Sequence, residues 1–357
     1  MFKAIIKGTG SYIPETIVPN NYFLDANFYE ETGIPVSIDN ELVIEKFKKI
    51  TEIEERRYET NPNLFSSDLA TISAKKALDD ARIDKSEIDY VIVGHNFGDV
   101  SNETNEIDIM PNLAMRVKHK LGITNVRCKA YDMLYGCPGW LEGLILASQL
   151  IEFGKAKNIL VISTDLISRV LDPHDRNRMI FADGSAAVVL SAEETAKEIG
   201  AIDHLTFTST DEELHYLSLG KSNNPDYKGS STKIRMKGRK VYEYVLKTLP
   251  AMVKEVLDKN NLHIKDVKKI FIHQANAKMD HAVVKRIGEM YETEIPEDLV
   301  PMTIQKLGNT SVSTIPTMID LVKKGKMEGF TVNSGDYLIF ASVGAGMAAN
   351  IMLYKEP

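Results

Sequence analysis

The sequence predicts a layered α/β protein made of two related halves, with helices outside, two sheets, and helices sandwiched between the sheets. Two observations carry this. Three blocks of the first half recur in the same order in the second, and the strand-like segments are apolar runs, as expected of sheets buried on both faces. The 357 residues, 43% hydrophobic and 26% charged, suffice for a large core.

The first repeated block is 77–94, ALDDARIDKSEIDYVIVG, against 256–273, VLDKNNLHIKDVKKIFIH. Leu78 falls on Leu257, Asp79 on Asp258, Ile83 on Leu262 and Ile88 on Val267. Both copies read as an amphipathic helix, a polar turn and a short apolar strand. The second pair joins two apolar helical runs, one opened by Gly136-Cys137 and ended by Phe153-Gly154-Lys155, the other opened by Gly308-Asn309 and ended by Lys324-Gly325-Lys326. The third pair is GSAAVVL at 184–190 and GMAANIM at 346–352, each read as a Gly-started buried strand. The polar stretch 193–200 divides the halves, giving units 1–195 and 196–357. No Pro/Gly/Ser linker separates them, so one core should serve both. Segments 20–49 and 97–113 have no counterpart in the repeat, and insertions of that length usually cap sites or build interfaces.

A net charge of −7 argues against a strongly basic nucleic-acid binder. No apolar run approaches the roughly 18 residues of a membrane span, so no membrane association is expected. The N-terminal segment enters a strand-like run without the sections of a signal peptide, so a cytoplasmic location is expected. There Cys128 and Cys137 are expected to be thiols.

Cys137 stands in Leu134-Tyr-Gly-Cys-Pro-Gly-Trp140 before an apolar helical run. Pro138 suits a first helical turn, which puts Cys137 at a helix start, where free N–H groups and the helix dipole favour a thiolate. An inert buried cysteine fits the local sequence equally well. Cys128 has no such setting. His273 ends an apolar strand, the place where α/β enzymes put side chains for chemistry. Alone it is either a site residue or a satisfied core histidine, and the other seven histidines read as surface or structural. Asn309 matches Cys137 in the repeat, so the starts of two buried helices should face each other. A helix-capping role for Asn309 remains open. The Gly344-Ala345-Gly346 turn offers backbone N–H groups, so Ala345 and Cys137 N–H groups form a candidate oxyanion hole.

Taken together, Cys137 at its helix start, Phe181-Ala-Asp-Gly-Ser-Ala-Ala187, His273-Gln-Ala-Asn276, Gly308-Asn-Thr-Ser311 and the segment from Met236 to Tyr242 resemble the 3-oxoacyl-(acyl-carrier-protein) synthase III family of the thiolase superfamily. The resemblance implies a thiolase-like five-layered αβαβα fold and Cys137, His273 and Asn309 as catalytic set. It also implies a decarboxylative condensation that initiates fatty acid synthesis without a metal or other cofactor. CoA and acyl-carrier thioesters are the substrates. The implied partners are acyl-CoA or acyl-carrier protein, a malonyl-carrier protein, and a second copy of this chain, paired through the edge strand at 130–134. Elongating relatives carry a second histidine where Asn309 stands, and degradative thiolases carry a cysteine near the last glycine turn, where this chain reads Ala341-Ser-Val-Gly-Ala-Gly346.

Departures from the family pattern are visible. Tyr135, Pro138 and Trp140 are bulky where the family has small residues, which suggests a reshaped acyl channel. The tryptophan that stacks on the CoA adenine has no match in 46–57. Arg176 matches a family arginine near the adenine, and Lys278 stands where a carrier-binding arginine is usual. With Lys237, Arg239 and Lys240 it would make a basic mouth. Single lysines there fit solvated surface as well. Two rival readings follow: a specialised condensing enzyme or acyltransferase of secondary metabolism with the same catalytic set, and a non-catalytic scaffold.

Overall fold

The computed structural model describes residues 1–229 and 232–357. The first sheet contains β1 (Phe2–Tyr12), β2 (Tyr90–Gly94), β3 (Lys129–Met133), β4 (Asn158–Asp165) and β5 (Gly184–Glu194) in the order β1-β5-β4-β2-β3. The second contains β6 (Gly200–Thr208), β7 (Val267–Ile272), β8 (Tyr337–Gly344) and β9 (Ala348–Lys355) in the order β6-β9-β8-β7. The pairing senses match: β5 is antiparallel to β1 and β4, as β9 is to β6 and β8, while β2–β4 and β7–β8 are parallel. Only the first sheet has the further parallel strand β3 beyond β2. The third repeated pair differs in one detail from its expected start. Strand β5 opens at Gly184, whereas Gly346 lies in the turn before β9, at φ 71°.

The helices are α1 (Asn40–Thr51), α2 (Ser66–Ala81), α3 (Leu113–Leu121), α4 (Gly139–Glu152), α5 (Gly238–Lys259), α6 (Ala277–Met290), the single turn α7 (Ile304–Leu307) and α8 (Thr314–Lys323). Side chains alternate between faces along a strand, so an all-apolar strand feeds two cores. On β4, Ile159 and Val161 face the central layer of α4 and α8, while Leu160 and Ile162 face α2 and α3. On β8, Leu338 and Phe340 face the same central layer, and Ile339 and Ala341 face α5 and α6. This is the five-layered arrangement expected from the repeat.

One central core joins the halves. Trp140 on α4 packs edge-on to Phe340 on β8, and Phe340 stacks on Tyr354 of β9. Tyr354 Oη accepts the Ile6 N–H of β1 at 2.9 Å. Thr9 and Ser11 of β1 donate to Asp320 of α8 at 2.7 and 2.5 Å. A fourth core lies under the inserted segments, where Phe23, Phe28 and Val43 meet Phe97, Ile167 and Phe181. Both insertions therefore close over the same end of the molecule.

Candidate active site

Cys137 sits in the turn between β3 and α4, two residues before the first helical residue. Gly139 N–H donates to the Gly136 carbonyl at 2.9 Å, and Pro138 occupies the N-cap position. Two glycines make the turn possible. Gly136 has φ 64°, and a Cβ there would lie 2.7 Å from the Ala345 nitrogen; a Cβ on Gly344 would lie 2.5 Å from the Cys137 nitrogen. The backbones of 136–137 and 344–345 thus touch, which brings the two expected oxyanion-hole nitrogens to one place.

Asn309 follows Gly308, whose φ of 67° turns the chain out of α7. Its backbone is clamped to the loop ahead of β5: Asn309 N–H donates to Ile180 O at 2.9 Å, and Ala182 N–H donates to Asn309 O at 2.8 Å. Its side-chain Oδ1 accepts the Ser311 N–H at 2.8 Å. Among the described residues its Nδ2 has no hydrogen-bond partner. Ser311, at the left-handed φ of 52°, donates its hydroxyl to Cys137 Sγ at 3.3 Å. The backbone of Ser311 also acts on the His273 ring. One serine therefore links the three side chains Cys137, Asn309 and His273. All three are buried.

The motif around His273 divides its labour. His273 N–H donates to Ala341 O at 2.8 Å, continuing the β7–β8 pairing. Gln274 Oε1 accepts the Thr303 and Ile304 N–H groups, and its Nε2 donates to Pro301 O, which fixes the segment before α7. Asn276 caps α6 by accepting the Met279 N–H at 2.9 Å. The His273 ring Nδ1 is buried without a partner among the described residues.

Burial decides the charge states. It pushes the Cys137 thiol up to about 11; the Ser311 hydroxyl works against this and Asp165 adds to it. A helix start was expected to favour the thiolate; burial of the sulfur acts in the opposite direction, because it disfavours the charged form. Burial pulls His273 down to about 4, so its imidazole is neutral at physiological pH. The site is a shielded thiol beside neutral hydrogen-bond donors, suited to carbonyl oxygens that gain charge.

The family model for 3-Oxoacyl-[acyl-carrier-protein (ACP)] synthase III matches residues 131–206, and that for its C-terminal part matches residues 257–355. Beta-ketoacyl-[acyl-carrier-protein] synthase III of Ehrlichia canis is 31% identical over 99% of this chain and 100% of its own length. That of Clostridium acetobutylicum is 32% identical over 98% of each. The chain belongs to the synthase III family. Its fold agrees: the crystal structure of 3-oxoacyl-[acyl-carrier-protein] synthase III from Aquifex aeolicus VF5 superposes with a TM-score of 0.76 at 27% identity, covering 99% of this chain and 100% of that one. The chain is thus a condensing acyltransferase with a thiolase-like fold.

Within this synthase III relative, a cavity of about 190 Å³ opens at Cys137, walled by Phe97, Ile167, Phe181, Leu217, Leu219 and Ile234. The bulk around Cys137 does not shape it, contrary to the sequence expectation. Trp140 points into the central core, 1% exposed, and neither Tyr135 nor Pro138 lines the cavity. Its walls come instead from Phe97, in an insertion, and from the hairpin of Leu217–Gly220 with Lys233–Met236.

A second, larger cavity has a volume of about 750 Å³. Arg176, Arg239 and Lys278 line it, together with Lys46 and Phe47 of α1 and Asn276. Lys237 does not; its ammonium sits over the Tyr216 ring at 6.0 Å. Arg176 is paired with Glu30 at 2.8 Å and Arg239 with Glu243 at 2.9 Å, so Lys46 and Lys278 are the cations of this cavity without a carboxylate partner among the described residues.

Sequence reasoning gave no role to Ser311 or Asn96, and reached Phe97 and Lys46 only as members of segments expected to cap a site or build an interface. Ser311 stood in a motif already singled out. Asn96 and Phe97 lie just past β2, the strand that the repeat aligns with β7 and His273, so the strand-end rule applied to both halves would have reached them.

Proposed function

We propose that Cys137 takes an acyl group from a CoA or carrier thioester and condenses it with a malonyl thioester on an acyl-carrier protein, initiating fatty acid synthesis. The carrying observation is Ser311, which ties Cys137, Asn309 and His273 into one buried site. Cys137 attacks the donor carbonyl, the departing thiol takes the proton, and an acyl thioester remains on the enzyme. The malonyl thioester then loses carbon dioxide. Asn309 Nδ2 and the His273 ring donate to its carbonyl oxygen as the enolate forms, and the enolate carbon displaces Cys137 to give the 3-oxoacyl product, the released thiolate taking a proton from water. The N–H groups of Cys137 and Ala345 hold the oxyanion at the acyl carbon. No metal or redox cofactor enters this scheme.

The 190 Å³ cavity suits a short acyl group of about eight heavy atoms, given that a cavity of about 150 Å³ holds benzene. Arg176, Arg239, Lys278 and, more peripherally, Lys237 receive the phosphates of CoA or the acidic carrier. The enzyme works in the cytoplasm as a homodimer, with neither membrane nor nucleic acid as partner. Residues 1–195 and 196–357 act as the two halves of the catalytic unit. Intact-protein mass spectrometry after incubation with acyl-CoA and acyl-carrier thioesters of graded length tests this. A short acyl adduct lost on Cys137→Ala supports the reading. Absence of any adduct from the whole series overturns it.

A specialised condensing enzyme of secondary metabolism is the second reading. It is favoured by the 46–57 stretch, which supplies Lys46 and Phe47 rather than a tryptophan to the mouth. Preference for a non-malonyl acceptor would decide for it.

A further inference from the structure

The sulfur of Cys137 is not hydrogen-bonded to His273; its partner is Ser311. Behind Ser311 the contacts continue inward. Asn96 Nδ2 donates to Ser311 Oγ at 3.1 Å and to Asp165 Oδ2 at 2.6 Å, and Asn96 N–H donates to Asp165 Oδ1 at 2.9 Å. Asp165, at the end of β4, is 1% exposed. Nothing in the condensation scheme uses Asn96 or Asp165.

We propose that Asn96 is a positioning residue, held by Asp165, that orients the Ser311 hydroxyl so that its proton points at Cys137 Sγ. The direction of each bond follows from what each group is able to give. A carboxylate only accepts, so Asp165 fixes which end of the Asn96 amide faces it: the NH₂ end, because the amide oxygen would repel Oδ2. That NH₂ group also meets Ser311 Oγ, which must then accept. A hydroxyl has one proton, and with Asn96 occupying a lone pair the proton is free for the sulfur. The result is a donor aimed at the place where the thiolate charge appears, in a site where burial opposes that charge. Asp165 itself repels the thiolate. The Asn96–Ser311 pair therefore passes on the carboxylate's orienting effect to the sulfur.

The other groups around the sulfur do not replace this donor. His273, reached through the Ser311 backbone, is neutral. His95 and Asp183 act on Asp165 rather than on Cys137. The left-handed φ of Ser311, 52°, is held by the Asn309 Oδ1 acceptor on its N–H, so the hydroxyl is presented by a backbone conformation fixed from the other side of the site.

This inference rests on Cys137 as the nucleophile, yet its test needs no acyl donor. In a Cys128→Ala background, the rate of iodoacetamide alkylation of Cys137 against pH gives the thiol's ionisation midpoint. Far-UV circular dichroism and a thermal melt accompany each variant. Ser311→Ala is expected to raise the midpoint by about one to two pH units, the scale of one hydrogen bond to a charged group. Asn96→Asp fills the same space but turns the donor into an acceptor, so Ser311 donates to it and the midpoint rises at least as far. Asn96→Ala added to Ser311→Ala shifts nothing further, because both act through one hydroxyl. A wild-type midpoint in folded Ser311→Ala or Asn96→Asp overturns the inference, as does a full additional shift in the double variant. A wild-type Cys137 that resists alkylation at every pH removes the nucleophile itself and overturns both this inference and the proposed function.

Discussion

At the scale of single residues, two cysteines of similar burial are separated by what they touch. Cys128 Sγ lies on the Lys129 carbonyl at 3.9 Å beneath α3, and Cys137 Sγ faces a cavity and a hydroxyl. Cys137→Ala should abolish acyl loading and condensation, and Cys128→Ala should leave both nearly intact; equal losses in thioester-trapping assays would refute the assignment. Asn309→Ala should still form the acyl-enzyme but release carbon dioxide from a malonyl thioester about 10²–10³ more slowly, the usual cost of one oxyanion donor. Mass and gas release measured on one sample separate the two steps. The state of His273 is testable through stability. Its folded pKa of about 4 lies below the unfolded value of 6.5. The unfolded chain therefore binds the proton first, and the stability tied to neutral His273 is present above pH 6.5 and lost as pH falls through about 4. By linkage the loss reaches roughly 3 kcal/mol. His273→Gln should flatten that part of the acid-stability curve in urea titrations, and an unchanged curve would show the histidine is not held neutral.

At the scale of elements, the site depends on two loops meeting at a distance that excludes a methyl group. Gly136→Ala combines a left-handed φ with a Cβ pressed on the Ala345 nitrogen, so it should destabilise the protein by at least about 1–2 kcal/mol and depress acyl loading even where the fold survives. The neighbouring strand β3 carries a second consequence. It is the edge of the first sheet, with Tyr131 45% exposed and Leu134 59% exposed just beyond it. An uncovered edge with apolar side chains invites pairing. Sedimentation at micromolar concentration should find a dimer that Tyr131→Lys combined with Leu134→Lys weakens; a wild-type monomer would remove this surface as the dimer seam.

At the scale of the whole molecule, duplication brings Cys137, His273 and Asn309 together, and the insertions add walls to the cavities. The two halves supply β3–α4 with its cysteine and the α7–α8 junction with its amide, and the shared core of Trp140, Phe271, Phe340 and Tyr354 sets their distance. The unmatched segments fold over that end: 97–113 contributes Phe97 to the cavity at Cys137, and 20–49 contributes Val43, Lys46 and Phe47 to the larger cavity. Lys46→Glu together with Lys278→Glu should raise KM for a malonyl-carrier protein, with kcat for a small thioester unchanged; equal effects on both substrates would place these lysines outside carrier recognition.

The sequence by itself predicted the layers from the repeat, the facing helix starts, and settings for Cys137, His273 and Asn309 that only the family resemblance joined into one set. Each of these is local or repeats: an apolar strand, a helix opening, a motif seen twice. It misjudged Trp140, because bulk next to a cysteine in sequence says nothing of which side of a helix start it takes. It also gave no measure of how deeply Cys137 is buried, which pushes its thiol up. Ser311, Asn96 and Asp165 meet across segments from both halves, with Asn96 and Ser311 separated by most of the chain. Only the tertiary structure decided those contacts, because a hydrogen bond between distant segments depends on where two packed sheets place their strand ends, and no local pattern encodes that distance.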